Sequence, residues 1–222
     1  MSLNQPTTTT DGDSLSAGLA RHDIDLPVDQ VELLDRYCRL LWDWNTKLNL
    51  TRHTDYEKFV SRDLVDSLVL ADHLEAGERV LDVGTGGGVP GVVLAVCRPD
   101  LEISLCESVA KKARVVEQIV AELGLRVPVY HRRAEDLLAE RTFDTLVIRA
   151  VAPLAKLLTW FNDRWGAFDR LLAVKGPHWP AERQEARERN LLKHLQLHKL
   201  HAWPLPGTDS ESVLLEIRAK DL

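Results

Sequence analysis

Five glycines fall within the eight positions 84–91 of the stretch "RVLDVGTGGGVPGVVLA". Glycine gives up more conformational freedom on folding than any other residue, so such a cluster is favoured only where backbone must turn with φ > 0 or let something approach closely. The run ahead of it, "RVLDV", reads as a short buried strand, and the run behind it, "GVVLAVC", as a helix. Strand, bare turn and helix in that order confine the chain to a βαβ unit, and hence to a parallel sheet.

The alternation continues with "EISLC", a helix ending near 123, "VPVYH", a short helix, "FDTLVIR", a helix opened by Pro153, and "FDRLLAVK". The last two strand-like runs, near 197–203 and 213–218, have no helix between them and predict an antiparallel hairpin at the sheet edge. Ahead of Gly77, Val31, Leu34, Cys38 and Leu41 recur beside Leu33, Tyr37, Leu40, Trp44 and Leu48, two adjacent stripes at helical spacing. A second helix is expected over 56–74, with Val60, Leu64 and Leu68 inward and Lys58, Arg62, Asp63 and Asp66 on its polar faces. Residues 1–20 are small and polar and read as a disordered tail. The expected organisation is that tail, a helical cap over 21–75, and a Rossmann-like domain over 76–222.

No apolar run approaches membrane-spanning length, and the N-terminus lacks a basic segment followed by an apolar core, so a cytoplasmic protein is expected. Cys38, Cys97 and Cys106 stand singly in apolar segments without metal-ligand spacing, which predicts buried free thiols and no metal site. The formal net charge of −6 speaks against a nucleic-acid partner, which usually demands a basic footprint.

Gly86, Gly88 and Gly91 satisfy G-x-G-x-x-G between a strand and a helix, a pattern that suits a dinucleotide or S-adenosylmethionine. Glu107, at the end of the next strand, stands where an acid takes the ribose hydroxyls of either ligand. Asp82, two residues ahead of Gly84, is expected to face the crevice, where a carboxylate repels a pyrophosphate and favours a sulfonium cation.

"LWDWNTKLNLT", the "DSL" beginning at Asp66, "LDVGTGGGVPGVVLA", "FDTLVIRAVAPL" and "AVKG" together resemble the small-subunit ribosomal RNA methyltransferase G family, also called glucose-inhibited division protein B. The resemblance covers roughly residues 30–220 and implies a class I S-adenosylmethionine-dependent methyltransferase fold. It implies methyl transfer from S-adenosylmethionine to N7 of one guanine in small-subunit (16S) ribosomal RNA, free or within the assembled subunit. Carried onto this chain, Gly84, Val89, Ala134, Glu135 and Arg149 look like the family's cofactor contacts. Two family features differ here: Arg62-Asp63 stands where Arg-His is common, and Ser212 or Val213 replaces a basic residue ahead of the last strand.

Guanine N7 carries a lone pair and no proton, so the reaction needs no general base and no catalytic acid or base is assigned. Arg149 and Lys175, at the ends of the fourth and fifth strands, are candidates for aligning substrate, Arg149 toward the cofactor and Lys175 toward RNA. A sheet-end ion pair with an acid such as Asp144 or Glu135 is the alternative for each. Asn49 and Arg62 are candidate RNA contacts. Asn49, with Thr51, equally fits a capping turn, and Arg62 an i,i+4 ion pair with Asp66. Basic residues at 111–114, 131–133, 156, 164 and 170 are candidates for a footprint near the crevice. Three other functions fit the residues: a small-molecule methyltransferase with the cap as a lid, a non-catalytic cofactor- or ribosome-binding regulator, and a dinucleotide oxidoreductase.

Overall fold

The structure, a computed structural model, describes residues 13–220. Seven strands form one sheet in the order β3-β2-β1-β4-β5-β7-β6. β1 (Arg79–Val83), β2 (Glu102–Cys106), β3 (Val129–Tyr130), β4 (Phe143–Arg149) and β5 (Phe168–Lys175) run parallel. β6 (Leu195–Pro204) and β7 (Glu211–Ala219) form the expected hairpin, with β7 inserted antiparallel against β5.

Successive strand residues feed opposite cores, as the two-residue period of a strand requires. Val80, Val147, Leu172 and Leu214 face one hydrophobic cluster, while Leu81, Ile148, Ala173 and Leu215 face the other. α7 (Ala134–Leu137), α8 (Leu154–Trp160) and α9 (Trp179–Glu188) contribute to the second core. α5 (Gly91–Cys97) and α6 (Ala110–Glu122) cover the first face together with the helices that precede β1. Those helices are α1 (Leu15–Arg21), α2 (Val28–Asn45), α3 (Tyr56–Lys58) and α4 (Val65–Ala71). They share the sheet's core and have none of their own.

Two expectations change. Of the tail expected to be disordered, 1–12 lie outside the described residues, but 15–20 are helical. Ser14 caps α1 through a hydrogen bond from the Ala17 amide, and Leu15 and Leu19, one turn apart, are buried with Gly18 closely packed on Val60. Two leucines on one face suffice because a preformed surface waits for them. The helix expected over 56–74 is interrupted by a π-helical segment, Phe59–Leu64, between α3 and α4. Asp63 and Asp66, expected on its polar faces, are buried in and just after that wider turn. Cys38, Cys97 and Cys106 are free, and burial raises all three thiol pKa values.

Candidate functional site

The glycine loop lies where β1 and β4 are neighbours and the chain leaves them in opposite directions, the switch point at which open α/β sheets hold ligands. A crevice of about 410 Å³ opens there, walled by Gly84–Gly87, Val89, Glu107, Lys112, Arg149–Val151 and Trp160, with Leu41 and Leu50 from the helical layer. Gly86 sits at φ +58°, and a Cβ built on it meets only the Gly84 carbonyl at 3.9 Å. Its backbone is therefore bare toward open space. At Gly91 the reason is packing, since a Cβ would lie 2.7 Å from Asp82 Oδ2 and collide with Leu105. From the helical layer, the Tyr37 hydroxyl donates to the Gly87 carbonyl at 3.0 Å and fixes the loop against α2.

Glu107 is buried, its Oε2 accepting from the Gly86 amide at 3.1 Å and its Oε1 from the Val109 amide at 2.7 Å. Each carboxylate oxygen has a second lone pair, so Glu107 can hold the loop and still accept a ligand hydroxyl. Asp82 differs from its expected role. It is buried and does not line the crevice; its Oδ2 accepts from the Thr85 hydroxyl at 2.6 Å and the Gly91 amide at 2.8 Å, bracing the loop from beneath. Burial pushes its pKa up to about 6 against the opposing pull of those two hydrogen bonds and of Arg149, and Oδ1 has no partner.

A second cavity, of about 1120 Å³, adjoins the first. Leu50, Thr51, Arg149, Ala150 and Val151 wall both. Ala150 holds φ +55°, a conformation unusual for a residue with a side chain and common at sites where surrounding structure imposes it. Arg149, beside it, donates to Asp63 Oδ1 at 2.6 Å and Asp66 Oδ2 at 3.1 Å. It therefore pairs neither with Asp144, which binds Arg79, nor with Glu135. His53 Nδ1 lies 2.8 Å from Asp63 Oδ1, and Trp203 Nε1 donates to Asp66 Oδ1. One guanidinium thus ties the sheet to the π-helical turn, and its two carboxylates keep its charge firmly in place.

The remaining sequence candidates divide. Gly84, Gly86, Val89, Glu107 and Arg149 converge on the smaller cavity. Gly88 is buried within the turn, Ala134 packs into the second core, and Glu135 pairs with Arg133; none of the three walls the crevice. Lys175 walls the larger cavity but is not a free cation. Its ammonium donates to Ala152 O at 2.6 Å and Glu182 Oε2 at 2.7 Å, and the same carboxylate oxygen accepts the Leu154 amide that opens α8. Arg62 makes no ion pair with Asp66, whose oxygens belong to Arg149 and Trp203; it and Asn49 wall the larger cavity.

The turn after α2 is held by Asn45, not Asn49: its Oδ1 accepts the Leu50 and Thr51 amides at 2.8 and 3.0 Å. Trp42 adds a bond from its indole to His53 O at 2.8 Å. An Asn in the last turn of a helix, five residues before the backbone it caps, is a signal the sequence carries and spacing rules for helix starts overlook. Four of the basic residues expected near the crevice are paired or engaged elsewhere, Arg132 with Glu140, Arg133 with Glu135, Arg170 with Glu78 and Glu216, and Arg164 with the Glu135 carbonyl, whereas Lys112 walls the smaller cavity and Lys156 lies over the Trp160 ring that walls it too. Arg52, unremarked in the sequence, walls the larger cavity.

Parallel strands flanked by helices, an antiparallel β7 next to β5, and a glycine crevice at the β1/β4 switch define a class I methyltransferase fold. Solved structures share it: a mutant of MtNAS in complex with S-adenosylmethionine matches at TM-score 0.56 and 14% identity over 95% of this chain and 86% of that one. The YcgJ protein from Bacillus subtilis matches at TM-score 0.54 and 15% identity over 71% and 100%. By sequence, the family model described as rRNA small subunit methyltransferase G matches residues 30–206. A ribosomal RNA small subunit methyltransferase G of Rhodopirellula baltica is 50% identical over 178 residues, 80% of this chain and 77% of the relative. One of Pseudomonas paraeruginosa is 37% identical over 93% of this chain and 94% of its own. The chain belongs to the rRNA small subunit methyltransferase G family, and membership makes it a methyltransferase.

Proposed function

We propose that this chain transfers a methyl group from S-adenosylmethionine to N7 of a guanine in small-subunit (16S) ribosomal RNA, free or within the assembled small subunit, in the cytoplasm. The observation that carries the reading is the shared wall, Leu50, Thr51 and Arg149–Val151, which puts two cavities back to back at the switch point. A donor held in one meets an acceptor held in the other.

The residues of the smaller cavity fit S-adenosylmethionine. Gly86 leaves its backbone bare toward the ligand, Glu107 keeps free lone pairs for two ribose hydroxyls, and Leu41, Val89, Val151 and Trp160 supply apolar wall. Lys112 offers a cation to a carboxylate, and Arg149, held by Asp63 and Asp66, lines the same wall. When bound, the cofactor supplies an electrophilic methyl on a sulfonium sulfur. The chain's own task is then to align, and alignment of two reactants is worth several kcal/mol of barrier.

No proton needs to be removed from N7, and the acids on the walls agree with that. Glu107 holds loop amides, Asp66 holds Arg149 and Trp203, and Glu182 holds Lys175 and the Leu154 amide. Among the described residues no His, Cys, Asp and Glu group together to hold a metal, and no helix is long and apolar enough to cross a membrane. A-form RNA hides the major-groove edge that carries N7, so the target guanine must be unpaired. Incubation with radiolabelled S-adenosylmethionine and small subunits from a strain lacking the gene, followed by mass mapping of the RNA, should yield one N7-methylguanine. Transfer to metabolite pools but not to subunits would replace this reading with small-molecule methylation.

A further inference from the structure

The larger cavity contains a charge asymmetry that the paired residues around it make visible. Its wall carries four cations, Arg52, Arg62, Arg149 and Lys175, and two acids, Asp66 and Glu182. Both acids are spent within the protein, Asp66 on Arg149 and Glu182 on Lys175. Arg52 and Arg62 have no ion pair or side-chain hydrogen bond among the described residues. Arg52 is exposed on the turn that Asn45 and Trp42 hold, and Arg62 is half-buried on the π-helical turn that Arg149 holds through Asp63. Two guanidinium groups therefore stand on braced backbone in the wall of this cavity with no ion partner among the described residues.

We propose that Arg52 and Arg62 bind the phosphates of a single-stranded RNA segment whose unpaired base enters the larger cavity. This rests on the ribosomal RNA reading given above and adds the residues and the chemistry by which RNA is held.

Three features favour RNA over a small anion. The cavity, about 1120 Å³, exceeds the ~300–1,000 Å³ of ordinary small-ligand pockets, leaving room for a base with backbone on either side. Two of the four cations on the wall are unpartnered among the described residues, Arg52 exposed and Arg62 half-buried, and these are left for phosphates while Arg149 and Lys175 are held by carboxylates. Beside its charged and polar walls the cavity offers apolar ones, Leu50, Val151, Pro153, Pro177 and Leu205, together with the His53 ring. A base would meet aliphatic surfaces and the His53 ring there, whereas Trp42 and Trp44 are not among the walls. A net charge of −6 is compatible with this arrangement because binding requires only a local excess of cation at the cavity wall.

The test uses the full-length protein, small subunits lacking the modification, and the variants Arg52→Gln, Arg62→Gln and the pair. Subunit affinity and single-turnover methyl transfer are measured across a salt series, with S-adenosylmethionine affinity by calorimetry. Each single variant should lower subunit affinity several-fold at low salt, the pair should lower it by more than tenfold, and cofactor affinity should stay within twofold. The slope of log affinity against log salt should become shallower by about 0.7 for each phosphate that is no longer neutralised. Unchanged affinity and salt slope in the paired variant, with wild-type protein methylating subunits normally, would overturn the phosphate assignment and leave the function intact. Wild-type protein that fails to methylate subunits would overturn the function first. Loss of cofactor affinity along with RNA affinity would mean that the substitutions disturb the shared wall and would reject the assignment of these arginines to RNA. Charge reversal, Arg62→Glu, should be worse than Arg62→Gln for RNA and equal to it for the cofactor; equal effects on RNA would also count against a phosphate contact.

Discussion

Replacing Arg149 with Met keeps an apolar stem of similar length and removes the one cation that bridges Asp63 and Asp66. The two carboxylates left behind have side chains 0% and 11% exposed, and Arg149 itself is 17% exposed. Removing one partner of a buried ion pair costs about 3–5 kcal/mol, mostly through the stranded charge. His53 beside Asp63 and the Trp203 indole on Asp66 moderate the loss, which places Arg149→Met near the lower end, about 3 kcal/mol. For a chain of this size ~1 kcal/mol moves Tm by about 2–4 °C, so a fall of roughly 6–12 °C is expected at pH 7.5. The pH dependence has a definite sign. Burial already raises the Asp66 pKa and Arg149 opposes that rise, so without Arg149 the folded state holds this proton to still higher pH, the variant is least impaired at low pH, and its deficit grows as pH rises through the folded-state value. Urea unfolding of wild type, Arg149→Met, and Arg149→Met with Asp63→Asn and Asp66→Asn, each at pH 5.0 and 7.5, reads this directly. The triple variant should recover most of the lost stability at pH 7.5. A deficit below about 1 kcal/mol, or one identical at the two pH values, would refute the view that this cluster is held together by charge.

Glu107→Gln retains an acceptor for the Gly86 amide but removes the charge behind the ribose hydrogen bonds, so S-adenosylmethionine affinity should fall by about 1.5–3 kcal/mol, roughly 10- to 100-fold, in calorimetry; an unchanged affinity would remove Glu107 from the cofactor site. Asp82 has its folded pKa raised to about 6, chiefly by burial, so the folded state keeps a proton that the unfolded chain releases. That contribution is present below the unfolded value near 3.8 and is lost as pH rises through about 6. The stability advantage of wild type over Asp82→Asn should therefore shrink by on the order of 2–3 kcal/mol between pH 4 and pH 7, and parallel pH curves for the two proteins would show that Asp82 is ionised throughout.

Hydrophobic periodicity and punctuation are local, and they were sufficient for the sheet. "RVLDV", "EISLC", "FDTLVIR" and "FDRLLAVK" occupy β1, β2, β4 and β5 residue for residue, and the glycine turn falls at the switch point its motif implies. The family signature is equally local, carried by short motifs that need no fold to be read. Charge pairing was another matter, because it depends on which distant segments meet. Spacing alone offered Asp66 to Arg62 across one helical turn, yet the π-helical segment and the approach of β4 gave it to Arg149, 83 positions away. Its place in a motif alone makes Asp82 a candidate ligand contact, and the packing of α5 on β1 makes it a buried brace for Gly91. Lys175 lost its freedom to Glu182 once α9 folded back over the end of β5. Arg52 carries no motif, and only the fold shows that it walls the larger cavity with no ion partner among the described residues. A strand or a turn is specified by its immediate neighbours in the chain, whereas a charge is satisfied or left free by whatever tertiary packing brings within about 4 Å.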